Sequence, residues 1–181
     1  KSNNTILKTI NIKNNEESFF FEKIIPQGYQ PSAYNAANAI FHNNKIYCKY
    51  LAIDTLYTFD PESLDLINKH PLKIEYTEPL NNYPISKPFK GEFKDGIRSF
   101  FGKFKFLNDT TFIALTEGHI TLFKKIDNSF FAVNSIVLVD ENQLKTQLWN
   151  FDVDKTDNSI IGVSRLLDYV VKIPLSDLTN Y

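Results

Sequence analysis

An all-β fold of repeated antiparallel units is what this 181-residue sequence predicts. Three stretches can be written over one another with almost no gaps: NNKIYCKYLAIDTLYTFDPESL from Asn43, NDTTFIALTEGHITLFKKIDNS from Asn108 and DNSIIGVSRLLDYVVKIPLSDL from Asp157. A strand–turn–strand unit recurring at spacings of 65 and 49 residues is the mark of a repeated architecture. The composition agrees, because 16 Phe and 9 Tyr suit sheet faces covered by flat rings.

Each copy opens on a polar pair, Asn43-Asn44, Asn108-Asp109 or Asp157-Asn158, residue types that tolerate the backbone of a tight reversal. A strand follows, with Tyr47, Phe112 and Ile161 aligned. A middle turn carries Asp54, His119 or Asp168. The next strand has matched apolar pairs, Leu56 and Phe59, Ile120 and Phe123, Val170 and Ile173. Before each opening turn, alternation predicts another strand through Ala39 and Phe41, Phe104 and Phe106, Phe151 and Val153. A fourth strand is expected at Leu64–Ile67 and at Phe130–Val139. Residues 5–12 and 18–25 read as two more strands around the polar turn 13–17. Pro71, Pro79, Pro84 and Pro88 mark 70–90 as an irregular insertion, since proline lacks the ladder donor. The best short helix candidate is Asp140–Thr146. The chain is expected to be one all-β domain over 1–181, with units at about 38–68, 98–139 and 147–181.

Charge narrows the function classes. Twenty basic and 21 acidic residues leave a net charge of −1, and Arg98 and Arg165 are the arginines, a balance that argues against nucleic acid as a partner. No apolar run approaches the roughly 20 residues of a membrane span. The single Cys48 reads as a small strand residue and forms no internal disulfide. A chain with no Met that begins at Lys1 is expected to be processed, trimmed or cut from something longer. A removed secretion signal is one explanation, so secreted, periplasmic and cytoplasmic locations all stay open.

The cadence of the units resembles a β-propeller of the broad WD-repeat, kelch or six-bladed kind over about 38–181. The resemblance is to an architecture. The Trp-Asp dipeptides of WD repeats and the double glycines of kelch repeats are missing, although one Gly-His pair stands at Gly118-His119, and Lys45–Pro61 is similar to a hemopexin-type repeat. A propeller needs at least four blades, so the resemblance implies that strands 5–25 complete a degenerate blade or that the chain is part of a larger propeller. In such folds an N-terminal strand often closes the ring by completing the last blade.

No motif names a reaction. The six glycines are not spaced for a phosphate-cradling loop, and Gly162-Val163-Ser164-Arg165-Leu166 lacks the second glycine of a nucleophile elbow. His42, His70 and His119 are far apart in sequence, so no zinc spacing exists. The run Asp152–Asp157 has oxygen ligands at alternate positions but lacks a calcium loop's glycine and closing glutamate, and it reads as a turn. No metal and no cofactor are expected.

In a blade-type fold the middle turns gather on one face, which would present Asp54, Glu117, His119, Arg165 and Asp168. These five are the candidate binding residues. Trp149 and Tyr83 could add a stacking platform, although a strand Trp is more often core. The expectation is a non-catalytic binding or scaffold module holding a protein or glycan partner on its loop face. A carbohydrate- or ester-active hydrolase or lyase on the same scaffold is the alternative, and a calycin-like barrel around an apolar ligand is a third. Convergence of the five residues on one pocket would favour the enzyme; a flat polar rim would favour the binder.

Overall fold

The computed structural model describes residues 5–10, 16–22, 37–50, 54–74, 101–116, 119–137, 148–164 and 170–179. Among them the chain is almost wholly strand. Strands β1 (Thr5–Ile10) and β2 (Glu17–Glu22) pair antiparallel as a sheet of their own. Three meanders follow. The first layer is β3 (Ala37–His42), β4 (Lys45–Tyr50), β5 (Thr55–Phe59) and β6 (Leu66–Lys73). The second is β7 (Phe101–Asn108), β8 (Thr111–Thr116), β9 (His119–Ile126) and β10 (Ser129–Val137). The third is β11 (Leu148–Asp154), β12 (Ser159–Ser164) and β13 (Val170–Pro174), followed by the single turn α1 (Ser176–Thr179).

Turn chemistry explains the reversals. Asn43 and Asn44 both have positive φ (45° and 54°), the two-residue turn whose twist matches a hairpin. At 108–110 the Asn108 side chain accepts from the Thr110 backbone N–H at 3.0 Å. Asp154 accepts from the N–H groups of Thr156 and Asp157, and Asn158 follows at φ 50°. Asp60 accepts from Glu62 and Ser63, and those two N–H groups hold its carboxyl below the usual range.

The layers stack face to face. Tyr47, Leu56 and Leu72 of the first layer meet Phe104, Phe106, Phe112, Ala114, Phe123 and Phe130 of the second. The alternate residues of the same second-layer strands, Ile113, Leu115, Ile120 and Leu122, meet Leu148, Phe151, Ile160 and Ile173 of the third. Strands β8 and β9 are therefore buried on both faces and read as nearly continuous apolar runs, Phe112–Leu115 and Ile120–Phe123.

The first two layers also meet at their margins. Strand β10 pairs parallel with β6 through Phe130–Leu72 and Phe131–Lys73, making one eight-stranded sheet. At the far edge of that sheet, Asn38 of β3 donates to the Gly102 carbonyl of β7 at 3.0 Å, and His42 and Asn43 both reach Asp109 at 3.0 Å. The eight strands are thus nearly closed on themselves, around an interior filled by aromatic rings. Phe112 stacks on Phe123 with centroids 4.7 Å apart and meets Phe104 and Phe130 edge-on.

Three sequence expectations change. The sequence places the insertion at 70–90 and the fourth strand at 64–67, yet β6 runs from Leu66 through His70 and Pro71 to Lys73. Leu72 N–H donates toward β5, to the Asp54 carbonyl at 2.9 Å, so the Pro71 nitrogen points the other way. On that side the ladder to β10 begins only at Leu72, and the missing donor leaves no gap. The rest of the insertion, like the helix candidate 140–146, lies outside the described residues. Second, the opening turn of the second unit is Asp109-Thr110, one residue later than the alignment puts it. Tyr47 then matches Ile113 and not Phe112, and both point toward the following layer, as a common pattern requires. Third, the matched apolar residue Val170 is not buried but 67% exposed.

Candidate functional site

The end of the first interlayer carrying the middle turns has a different chemistry from the rest of the core. Strands β3 and β7 start at this end, as the Asn38–Gly102 bond shows, while the His42–Asp109 contact marks the opposite end. Register decides which side chains line it. Tyr47 on β4 and Leu56 on β5 face the second layer, so Lys49, two residues beyond Tyr47, faces it too. Asn38 is the β3 partner of Lys49 and shares that face. From the other side, Phe112 and Ala114 point toward the first layer, and so does Thr116; Phe123 does likewise, and with it Thr121 and His119.

Lys49 is the unexpected member. It is 1% exposed, and its ammonium donates to the Tyr50 carbonyl at 2.8 Å. Burial pushes its amine down to about 7, with Asp54 pulling in the opposite direction. In the second layer the matching position is Leu115, a buried aliphatic residue, so a lysine here departs from the repeat. The hydroxyls of Thr116 and Thr121, both buried, lie 2.6 Å apart in a mutual hydrogen bond. Asp54 and His119 are half-buried at the rim.

Of the five residues predicted from sequence, Asp54 and His119 fall on this rim, on successive layers and beside one interlayer. Glu117, Arg165 and Asp168 lie outside the described residues. Tyr83 lies outside them too, and of Trp149 only its place on β11 is described. Lys49, Thr116 and Thr121 were missed. A strand lysine ordinarily reads as solvent-facing, and its parity with Tyr47 and Leu56 across the ladder is the one signal that could have found it.

The other candidates resolve as structure. The Asp152–Asp157 run is the end of β11 and the turn that follows it, and its carboxylates are engaged: Asp152 with Lys105 and the Val153 N–H, Asp154 with two backbone N–H groups, Asp157 with Lys172. The contact with Lys105 holds the Asp152 carboxyl below its usual range. Cys48 is fully buried, and burial pushes its thiol up to about 12, which leaves it unreactive. Among the described residues no group of three His, Cys, Asp or Glu could hold a metal ion, and no helix is long and apolar enough to cross a membrane.

The rim therefore offers a carboxylate, Asp54, and an imidazole, His119, above the buried Lys49, Thr116 and Thr121. Such a set can donate to and accept from peptide groups or sugar hydroxyls.

No protein-family model matches the chain, and no curated protein matches it. Among solved structures, it is similar to one titled "Dihydro-heme d1 dehydrogenase NirN in complex with DHE", at 11% identity and a TM-score of 0.47. The match covers 91% of this chain and 29% of that one, so the chain spans less than a third of the protein it resembles.

Proposed function

We propose that this chain is a non-catalytic binding module of propeller type, holding a protein or glycan partner on the end of its sheet stack where the middle turns lie. One observation carries the reading: between the first two layers at that end, Lys49, Thr116 and Thr121 are buried together under the half-buried Asp54 and His119, whereas Thr58, His70 and Ser159 are buried elsewhere. Lys49, Thr116 and Thr121 satisfy hydrogen bonds within the chain, so the partly exposed Asp54 and His119 above them are the groups that would meet a partner. Glu117, Arg165 and Asp168 fall in sequence between the strand ends of the second and third layers and would extend the face. The aromatic filling between β4–β6 and β7–β10 speaks against the calycin-like alternative, whose ligand would need that space.

The test is a glycan array and a peptide library probed with the wild-type chain and with an Asp54→Ala/His119→Ala double variant of unchanged melting temperature. The expected result is a wild-type ligand whose affinity falls at least tenfold in the double variant. Undiminished binding by the variant would remove this end of the stack as the site.

A further inference from the structure

Very little backbone joins the first two layers along the β6–β10 margin. Strand β10 pairs with β6 only at Phe130–Leu72 and Phe131–Lys73, whereas its ladder with β9 runs from Ser129 to Val137. Toward the opening turns, side chains continue this seam, and all of them meet Asn128. The Asn68 amide donates to the Asn128 side-chain oxygen at 2.8 Å, and the Asn128 amide donates to the Lys69 carbonyl at 3.2 Å. His70 Nδ1 lies 3.1 Å from the Asn128 backbone carbonyl. A carbonyl oxygen only accepts, so Nδ1 carries the hydrogen of this bond and a further proton would go to Nε2. His70 is 4% exposed, and its ring meets that of Phe130 edge-on, with centroids 5.5 Å apart.

We propose that His70 is an acid-sensitive latch on this seam: protonated, it parts β6 from β10 while the two meanders stay folded. The surroundings of the ring give the reason. Strand β5 places Leu56 beside it and β10 places Phe130 against it. The titratable groups on the same interlayer are His42, Lys45, Tyr47 and Lys49 from the first layer and Lys125 from β9, which shares a face with Phe123; Asp54 and His119 stand at the other end. His42 is held by Asp109 and Lys49 by the Tyr50 carbonyl, while Asp109 and Asp127 are exposed in their turns. Burial pushes the His70 imidazole below its ordinary value, Lys125 and Lys45 add to the push, and Asn128 pulls the other way. Two of these obstacles to the proton lie across the seam. Phe130, which shields the ring, and Lys125, which repels it, both belong to the second layer, so parting the strands hydrates the imidazolium and relieves the repulsion together. The seam is therefore whole above the 6.5 of an ordinary histidine and weakens as pH falls below it. Leu72, which pairs across the seam, also donates to the Asp54 carbonyl at 2.9 Å, so the loosening reaches the strand end beneath the candidate rim.

Hydrogen–deuterium exchange read by mass spectrometry at about pH 7 and about pH 5, corrected for intrinsic exchange rates, tests the latch in the whole chain. The seam segments 70–74 and 128–132 are read against 111–116 and 119–124 of the second meander. That ratio cancels any change in overall stability, including one from Lys49. In the wild type the seam is expected to lose protection about threefold or more on acidification, relative to the meander. His70→Asn keeps an amide nitrogen in place of Nδ1 and takes up no proton, so its ratio should be the same at both pH values. Lys125→Gln, at an exposed position, removes the charge across the seam and should shrink the wild-type loss, which keeps the latch refutable even where His70→Asn does not fold. A wild-type ratio that does not move with pH overturns the proposal. So does an equal acid loss in His70→Asn, which would place the titrating group elsewhere, at His42 for example, and so does a loss undiminished in Lys125→Gln.

Discussion

The two interlayers share strands β8 and β9 but not their chemistry. Toward the first layer these strands offer Phe112, Phe123, Thr116 and Thr121; toward the third they offer Ile113, Leu115, Ile120 and Leu122. The first interlayer packs rings both stacked and edge to face and ends in polar groups, with His70 also buried there against Phe130. The second is aliphatic except for Phe151, and no titratable group belongs to its buried cluster. Alternation lets one pair of strands serve both purposes, because neighbouring positions look into different spaces. The second interlayer holds the stack together. The first does that as well, and also accommodates groups that cost stability.

Replacing a ring should show the contrast most strongly. Phe112→Ala is expected to cost about 3–5 kcal/mol in urea denaturation. Its structural counterpart Ile160→Ala should cost less, within the about 2–5 kcal/mol of an aliphatic truncation, because Phe112 also gives up ring contacts worth about 0.5–1.5 kcal/mol each. Equal costs would mean that the ring geometry adds nothing to burial.

Next in size is Lys49. Above pH 10.5 its amine is neutral in both folded and unfolded chains. Between about 7 and 10.5 the unfolded chain keeps a proton that the folded chain releases, so stability rises with pH across that window. Below about 7 the folded state bears the full penalty, on the order of 5 kcal/mol. Lys49→Met is therefore expected to stabilise the chain at pH 6 and to flatten the slope between pH 7 and 10. If wild type and variant show parallel slopes, Lys49 is not the source.

The smallest effect probes the aliphatic side. A Cβ on Gly162 would come within 2.5 Å of Leu148 Cδ1 and 2.9 Å of Cδ2. Gly162→Ala should cost about 1–3 kcal/mol by overpacking, and Leu148→Ala should recover part of that in a double-mutant cycle. Strict additivity would show that the two sites relax independently.

What could be read in advance divides along physical lines. Strand periodicity and the Asn-Asn turn are local, and β3, β4 and β5 follow from them. The one-residue error at Asn108 arose because Asn108, Asp109 and Thr110 all suit turns, so composition could not say which pair reverses the chain. Pro71 was misread because its effect depends on which side of β6 has a neighbour, a fact of sheet order. Lys49 escapes a local reading because the layer it faces, with Thr116 and Thr121, lies about 70 residues on in sequence, and only its parity with Tyr47 points inward.

The seam between β6 and β10 has a mechanical side. It joins two four-stranded plates through Leu72–Phe130 and Lys73–Phe131, while each plate keeps its own long antiparallel ladders. Under load or thermal motion the compliant line of the eight-stranded sheet is that seam, with the Asn38, His42 and Asn43 contacts at the far margin as its pivot. Backbone amides along it are where the plates would first exchange with solvent, well before either meander loosens.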